Sequence, residues 1–505
     1  MWVYVSLPLV NRATQFRRNV AIVDKFGQHT FDSLLETSGN IASGLLNEAL
    51  DLKEERVCML IPASFDYVVV QWGIWRAGGI AVPLCTTHPL PELEYVINDS
   101  DARTIVYPPE FKEFLNPLIN KKNGRRFVAT VELPSSSRNP LPAVGEERRA
   151  MILYTSGTTS RPKGVVLTHL NIESQITSLV EAWDWSTNDY ILNVLPLHHV
   201  HGIINVLSCA LWSGAKCEMI PKFNAELVWK KFSDEPFTLF MAVPTIYHRL
   251  IAHWGSESEQ AKQELSKSCR KFRLMVSGSA PLPVNVLEEW GKISGHVLLE
   301  RYGMTEIGMG LSNPLHGERK PGFVGKPLPN VQVKLVDEDG KELPPKAGIP
   351  GEIYVKGPNV FSEYWGQPEI TDVSFHDGWF KTGDVALQDE VDGDYRILGR
   401  RSIDIMKTGG YKVSALEIEE LFRTHPAVEE CTVVGVEDDY WGERVCAGLI
   451  LKHQVSANEL SEWAKLRIAG YKVPKQIQIM TELPRNAMGK VVKPELRKLF
   501  SVEKK

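Results

Sequence analysis

The sequence predicts an α/β protein. A large N-terminal domain of doubly wound parallel sheets would carry a small β-barrel-like subdomain, and a small α+β domain would follow. Three observations predict this. Short apolar runs alternate with helical patterns over residues 57–150 and again from residue 189 to residue 299, the pattern of βα units building a parallel sheet. From Gly322 to Leu398 the runs shorten and are punctuated by Gly and Pro, as in a small all-β unit. After Gly399-Arg400-Arg401-Ser402 a compact stretch of mixed helices and strands begins. At 505 residues the chain is too long for one core in any case. The expected division is 1–399 and 400–505.

In order along the chain, Val57–Pro62 reads as a strand and Tyr67–Ala77 as a helix. Ile80–Leu84 reads as a strand, Leu90–Asn98 as a helix capped by Thr87 or a nearby polar residue, and Thr104–Tyr107 as another strand. A Pro/Ser/Arg-rich linker, Pro134–Arg149, precedes the buried strand Met151–Tyr154. Asp189–Pro196, Phe237–Val243, Arg273–Val276 and His296–Leu299 are the next candidate strands. Val331–Val336, Gly351–Val355 and Tyr395–Leu398 belong to the β subdomain. In the last unit, Ala415–Thr424 and Asn458–Ile468 read as helices and Val428–Gly435 and Arg444–Leu451 as strands.

Composition narrows the function. Hydrophobic residues make up 43% and charged residues 24%, ordinary for a soluble protein, and a formal net charge of −5 argues against nucleic acid as the main partner. The basic run Lys121-Lys122-Asn123-Gly124-Arg125-Arg126 contains a turn signal and reads as a solvated loop. Cysteines 58, 85, 209, 217, 269, 431 and 446 are scattered with no Cys-x-x-Cys pair, which favours a reducing compartment and no zinc site. No stretch reaches the roughly 18–20 apolar residues of a membrane span. The apolar start, Met1–Val10, lacks a basic leader. It reads as a first strand or docking segment of the mature fold in preference to a targeting remnant.

The most informative segment is Tyr154-Thr155-Ser156-Gly157-Thr158-Thr159-Ser160-Arg161-Pro162-Lys163-Gly164-Val165. Backbone N–H groups and hydroxyls are dense in it, Gly157 permits close backbone approach, and Lys163 adds a cation, a combination suited to a polyphosphate. Following a buried strand, it lies where open α/β sheets bind ligands. It is not a P-loop, since no Gly-Lys-Ser/Thr opens a helix. This segment closely resembles the phosphate-binding signature of the adenylate-forming superfamily: acyl-CoA synthetases, peptide-synthetase adenylation domains and luciferases. Ser160 departs from it, standing where that family commonly has Gly, which stiffens the loop.

Four further segments resemble the same superfamily in its order. In Leu195-Pro196-Leu197-His198-His199-Val200-His201-Gly202, the resemblance implies that His199 lines the acyl and phosphate side of the pocket and that His201 faces the substrate. Ser277-Gly278-Ser279-Ala280-Pro281-Leu282 would run along the adenine. In Glu300-Arg301-Tyr302-Gly303-Met304-Thr305-Glu306, Tyr302 would stack on adenine, with Glu300, Gly303 and Met304 beside the nucleotide. Thr305 would touch the α-phosphate, and Glu306, with Thr155, would hold Mg²⁺, a hard cation that favours carboxylate oxygens. Asp384 and Arg400 would bind the ribose, Ser402 would be the hinge of a mobile C-terminal domain, and Gly409-Gly410-Tyr411 would close on the pantetheine of CoA. Pro484-Arg485-Asn486-Ala487-Met488-Gly489-Lys490 resembles the loop of the adenylation lysine, so Lys490 would stabilise charge developing at the α-phosphate.

The resemblance implies activation of an acid with MgATP, followed by attack of the CoA thiol. No enzyme nucleophile is required, consistent with the lack of a Gly-x-Ser-x-Gly elbow. Arg301 suggests which acid. Relatives acting on aromatic or fatty acids commonly carry a small uncharged residue there, whereas a guanidinium offers a second carboxylate a bidentate partner. With Ser279 and His201 it suits a short dicarboxylate, unless Arg301 pairs with Glu300 or another acid and points away. Glu300–Asn313, Ser277–Ala280 and Pro196–Gly202 resemble malonyl-CoA synthetases, implying malonate and methylmalonate as substrates and a mitochondrial, alternatively cytoplasmic, location. The other readings are a short- or medium-chain acyl-CoA synthetase and a nucleotide-binding scaffold without turnover.

Overall fold

The computed structural model describes residues 7–121, 123–133, 140–155, 162–409, 411–438, 440–485 and 491–501. Two large sheets form the N-terminal part. In the first, Arg149–Thr155, Ile80–Pro83, Arg56–Met59, Thr104–Tyr107 and Arg126–Ala129 lie parallel in that order, and Lys163–Thr168 and Glu363–Tyr364 close one edge antiparallel. In the second, Leu299–Met304, Leu274–Ser277, Leu239–Ala242, Tyr190–Asn193, Lys216–Met219 and Val20–Asp24 are parallel neighbours. Antiparallel strands flank both of its edges.

The central strands are short apolar runs because helices cover both faces, so alternation is neither needed nor present. Every residue of Ile80–Pro83, Thr104–Tyr107 and Leu239–Ala242 is buried. The core between the layers is aromatic: Trp290 meets Tyr247 at 5.0 Å and Trp229 at 5.7 Å, ring centre to ring centre. Near the start, Pro8–Ala13 docks Leu9, Val10 and Ala13 into this core as a helix, where a strand was the alternative expectation.

Most element ends shift from the sequence reading by one to three residues, and three departures have a physical reason. The Leu90–Asp99 helix has no side-chain cap; Pro89 holds the N-cap, and proline in the first turn removes a donor that would otherwise need a partner. The Thr87 hydroxyl instead meets Cys85 Sγ at 3.2 Å. The strand expected to end at Leu299 begins there and continues to Met304. Its polar Glu-Arg-Tyr sequence hides it, but it is held by Val276 and Leu299 in register on one side and by Gly308–Ser312 on the other. Arg149, placed in the linker, already belongs to the next strand.

The Gly/Pro-punctuated region forms a five-stranded antiparallel sheet. Gln332–Val336 pairs with Gly351–Lys356, which pairs with Trp379–Gln388; Phe375–His376 and Tyr395–Arg400 also pair with that long strand. Beyond it, Tyr411–Ser414, Ile405–Thr408, Gly442–Leu451 and Val428–Asp438 form another sheet, joined by Gln476–Ile479. This last unit has its own core around Met406, Ile418, Phe422, Val433 and Leu460. A half-buried Lys493 bridges Asp404 and Glu419 within it, at 2.6 Å each. No helix among the described residues is long and apolar enough to cross a membrane.

Candidate active site

The phosphate-loop candidate joins two antiparallel strands, and Thr155 stands directly opposite Lys163 across them. Ser156, Gly157, Thr158, Thr159 and Ser160 lie outside the described residues. Flanking contacts fix both ends: Tyr154 donates to Asp99 at 2.6 Å, and Tyr95 donates to the Pro162 carbonyl at 2.8 Å. Lys163 Nζ sits 5.2 Å from the centre of the Tyr364 ring, and the Tyr364 hydroxyl donates to Glu306 Oε1 at 2.9 Å. The cation at the end of the phosphate loop and the carboxylate expected to hold metal are therefore connected through one tyrosine.

Glu306 follows the Leu299–Met304 strand in a turn and is buried. Burial pushes its carboxyl above the usual range. Among the described residues no Lys, Arg or His forms an ion pair with it. Arg400 acts on it only from a distance, and a buried carboxylate with no ion-pair partner among the described residues fits a hard dication, which stabilises its charged form. Thr155, half-buried at its strand end, supplies a hydroxyl oxygen for the same role.

Asp384 accepts from Tyr302 Oη at 2.6 Å and from Arg400 Nε at 2.9 Å. The long strand of the small subdomain thus brings the predicted ribose pair directly under the predicted adenine-stacking tyrosine. Gly303 is required for close packing, since a Cβ there would stand 2.1 Å from the Gly308 carbonyl oxygen. Met304 and Thr305 are half-buried, while Ala280 and Pro281 are exposed on their turn.

Arg301, Ser279 and His201 converge. Arg301 Nη2 donates to Ser279 Oγ at 3.2 Å, and that oxygen lies 3.2 Å from His201 Nδ1. His201 opens a π-helix, His201–Ser208, a distortion often found at functional sites. The half-buried His199 has its ring 4.5 Å from that of His198. Ser279 adopts φ +67°, a left-handed conformation costing a non-glycine residue about 1 kcal/mol or more. That strain places its hydroxyl between the two basic groups.

Arg301 is buried with a relative exposure of 4%, and burial lowers its pKa to about 9, so it stays charged at neutral pH. It forms no ion pair with a carboxylate among the described residues, and its Nε has no partner there. Glu300 does not serve as one. Its Oε1 accepts the Gly322 N–H at 3.2 Å, and burial, only partly offset by that bond, raises its pKa to about 8. Engaged there and mostly neutral at pH 7, Glu300 is not the counter-charge of Arg301.

In the last unit Gly409 has φ +56°, and Tyr411 is exposed and stacks on Tyr471 at 4.2 Å. Gly410 and Lys490 lie outside the described residues. Two participants escaped the sequence reading. Tyr364 has no motif to mark it. Cys85, at the carboxyl end of the Ile80–Pro83 strand, gathers His88 and His198 around its thiol. Burial pushes that thiol up, but hydrogen bonds from His198, His88 and Thr87 outweigh it and bring the pKa down to about 5. Cys58, Cys209, Cys217, Cys269 and Cys431 are instead raised by burial. Iodoacetamide should therefore label Cys85 first, at a rate already flat above about pH 6, because the thiolate is the nucleophile. His88→Asn should restore a rise toward higher pH. Peptide mass spectrometry across pH would refute this if Cys85 reacts no faster than the other thiols.

Two mostly parallel sheets, a tyrosine and an arginine bonded to one carboxylate, and a C-terminal unit with its own core are the architecture of a nucleotide-dependent acid-activating enzyme. The family models agree: residues 9–365 match the AMP-binding enzyme family and residues 417–490 its C-terminal domain, so the chain belongs to the AMP-binding enzymes. The mitochondrial malonate–CoA ligase of Bos taurus is 46% identical, over 99% of this chain and 91% of that protein. The malonate–CoA ligase of Arabidopsis thaliana is 42% identical, over 88% and 78% respectively. Among solved structures, ATP-bound MatB from Rhodopseudomonas palustris superposes with a TM-score of 0.89 at 34% identity, covering 98% of this chain and 99% of that one.

Proposed function

We propose that this chain is an AMP-forming malonate–CoA ligase that uses ATP, Mg²⁺ and CoA. In the first half-reaction a malonate carboxylate oxygen attacks the α-phosphorus of ATP, forming malonyl-AMP and releasing pyrophosphate. In the second the CoA thiolate attacks the acyl carbon, forming malonyl-CoA and releasing AMP. The observation that carries the choice of acid is the buried, charged Arg301, held by Ser279 and without a carboxylate partner among the described residues. The distal carboxylate of malonate supplies that partner, and methylmalonate presents the same group. The names of the Bos taurus and Arabidopsis thaliana relatives support the same substrate.

The remaining roles follow the site. Asp384 and Arg400 take the ribose hydroxyls, and Tyr302 takes the adenine face. Ser279, Ala280 and Pro281 run along the base, while Thr155 and Lys163 flank the phosphates. Mg²⁺, held by Glu306 and Thr155, offsets phosphate charge when bound. His199 and Thr305 border the reacting carboxylate and α-phosphate, and Gly409, Gly410 and Tyr411 face the pantetheine. The domain boundary is placed at 399/400 with Ser402 as the hinge, supported by the exposed turn at Ser402 and the separate core beyond it. We also place the protein in mitochondria, as its vertebrate relatives are; fractionation of cells expressing the full-length native protein tests that.

Pyrophosphate release measured with malonate, methylmalonate, succinate, butyrate and octanoate tests the function. Malonate and methylmalonate should give the highest kcat/KM, with a CoA-dependent thioester as product. Faster turnover of butyrate or octanoate would make this a general acyl-CoA synthetase, and nucleotide binding without pyrophosphate release would make it a scaffold.

A further inference from the structure

We infer that Gly278 is a specificity-determining position: the space left by its missing side chain is the seat of the Arg301 guanidinium, so residue 278 decides whether the site reads a distal carboxylate. The inference rests on the dicarboxylate reading of Arg301. A Cβ built on Gly278 would stand 2.5 Å from Arg301 Cζ, 2.6 Å from Nη1 and 2.7 Å from Nε. The central carbon is the nearest of the three. A Cβ there would therefore sit over the face of the guanidinium plane, not against its N–H edge. Gly278 is a flat shelf on which that plane lies, leaving the donor-bearing edge to reach Ser279 and a ligand.

The backbone gives an independent reason to read this glycine through Arg301. Gly278 is not among the residues with left-handed φ, so its conformation does not call for glycine. Its neighbour Ser279 does have that conformation, at φ +67°, yet carries a side chain. The turn thus places a serine where the backbone favours glycine and a glycine where the backbone tolerates any residue. Both choices make sense from Arg301. The serine hydroxyl accepts from Nη2, and the absent methyl at 278 admits the guanidinium face.

The steric conflict involves the far end of a long side chain, so Gly278→Ala should fold while re-aiming the guanidinium and loosening its bond to Ser279. Displacing a bidentate clamp by about 1 Å costs on the order of 10- to 100-fold, and the loss should fall mainly on the KM for malonate because the lost contact is to the bound acid. Butyrate, which has no distal carboxylate to place, should be affected far less. The ATP KM and Tm of each variant report on folding and the nucleotide site.

The deciding measurement is a double-mutant cycle of Gly278→Ala and Arg301→Leu on malonate and butyrate. If residue 278 acts through Arg301, Gly278→Ala has no further effect on malonate once Arg301 is leucine. Additive losses, or equal losses for both acids, overturn the inference and make Gly278 merely structural. The underlying reading fails separately: Arg301→Leu alone would then leave the preference for malonate over butyrate unchanged. If Arg301→Leu abolishes the preference but Gly278→Ala leaves it intact, only the role of Gly278 is lost.

Discussion

Arg301→Leu should lower kcat/KM for malonate by about three orders of magnitude while activity on acetate, propionate or butyrate holds or rises. The size follows from taking one partner out of a desolvated ion pair, which costs roughly 3–5 kcal/mol because the other charge stays buried and unpaired. Arg301 meets the conditions for that cost. It is buried, protonated at neutral pH, and without an ion-pair partner among the described residues until an acid binds. Leucine fills much of the same volume and presents no charge, so a monoacid tail no longer faces a guanidinium that it cannot satisfy. ATP affinity should change little, since Tyr302, Asp384 and Arg400, proposed to hold the nucleotide, form a separate cluster. The check is kcat/KM for malonate, methylmalonate and butyrate with the ATP KM alongside. A parallel drop for every acid, or a loss confined to ATP, would make Arg301 structural or nucleotide-facing.

The fold was legible where burial is complete on both faces of a strand. Ile80–Pro83 and Leu239–Ala242 are uninterrupted apolar runs and Thr104–Tyr107 is apolar after its threonine, and all three are strands within a residue or two of expectation. Legibility fails where the site interrupts the pattern. Leu299–Met304 carries the candidate site residues Glu300, Arg301 and Tyr302, and their polarity masks the strand that positions them. The candidate site could be proposed from motifs along the chain, but the contacts between its distant segments could not. Tyr364 lies 58 residues from the Glu306 that it supports, and the clustering of Cys85 with His198 joins the two sheets. The charge at 301 pointed to a dicarboxylate, while the glycine that seats it became visible only once the guanidinium had a position.

Lys490→Ala should abolish malonyl-AMP formation while leaving thioester formation from supplied malonyl-AMP largely intact. The contrast arises because a cation at the α-phosphate matters only while charge develops there, and such groups contribute about 10²–10³ or more in rate. The flanking residues indicate how Lys490 would be carried. Arg485 and Val491 pair with each other, the Val492 N–H donates to the Pro484 carbonyl at 2.8 Å, and Lys493 is tied to Asp404 and Glu419 at 2.6 Å. Arg485 also forms an ion pair with Glu430. The residues on either side of the Lys490 segment are thereby fastened to the C-terminal unit and to Asp404, two residues beyond the proposed hinge at Ser402. Rotation about Ser402 would then move Lys490 out of the site as Gly409–Tyr411 moves in, separating the two half-reactions. Ser402→Pro, by stiffening that point, should slow the thioester step more than adenylation. Pyrophosphate release and single-turnover transfer from malonyl-AMP, measured on the same folded variants, distinguish the outcomes. If Lys490→Ala loses both steps together, or Ser402→Pro slows both equally, one conformation serves both reactions and the hinge is wrong.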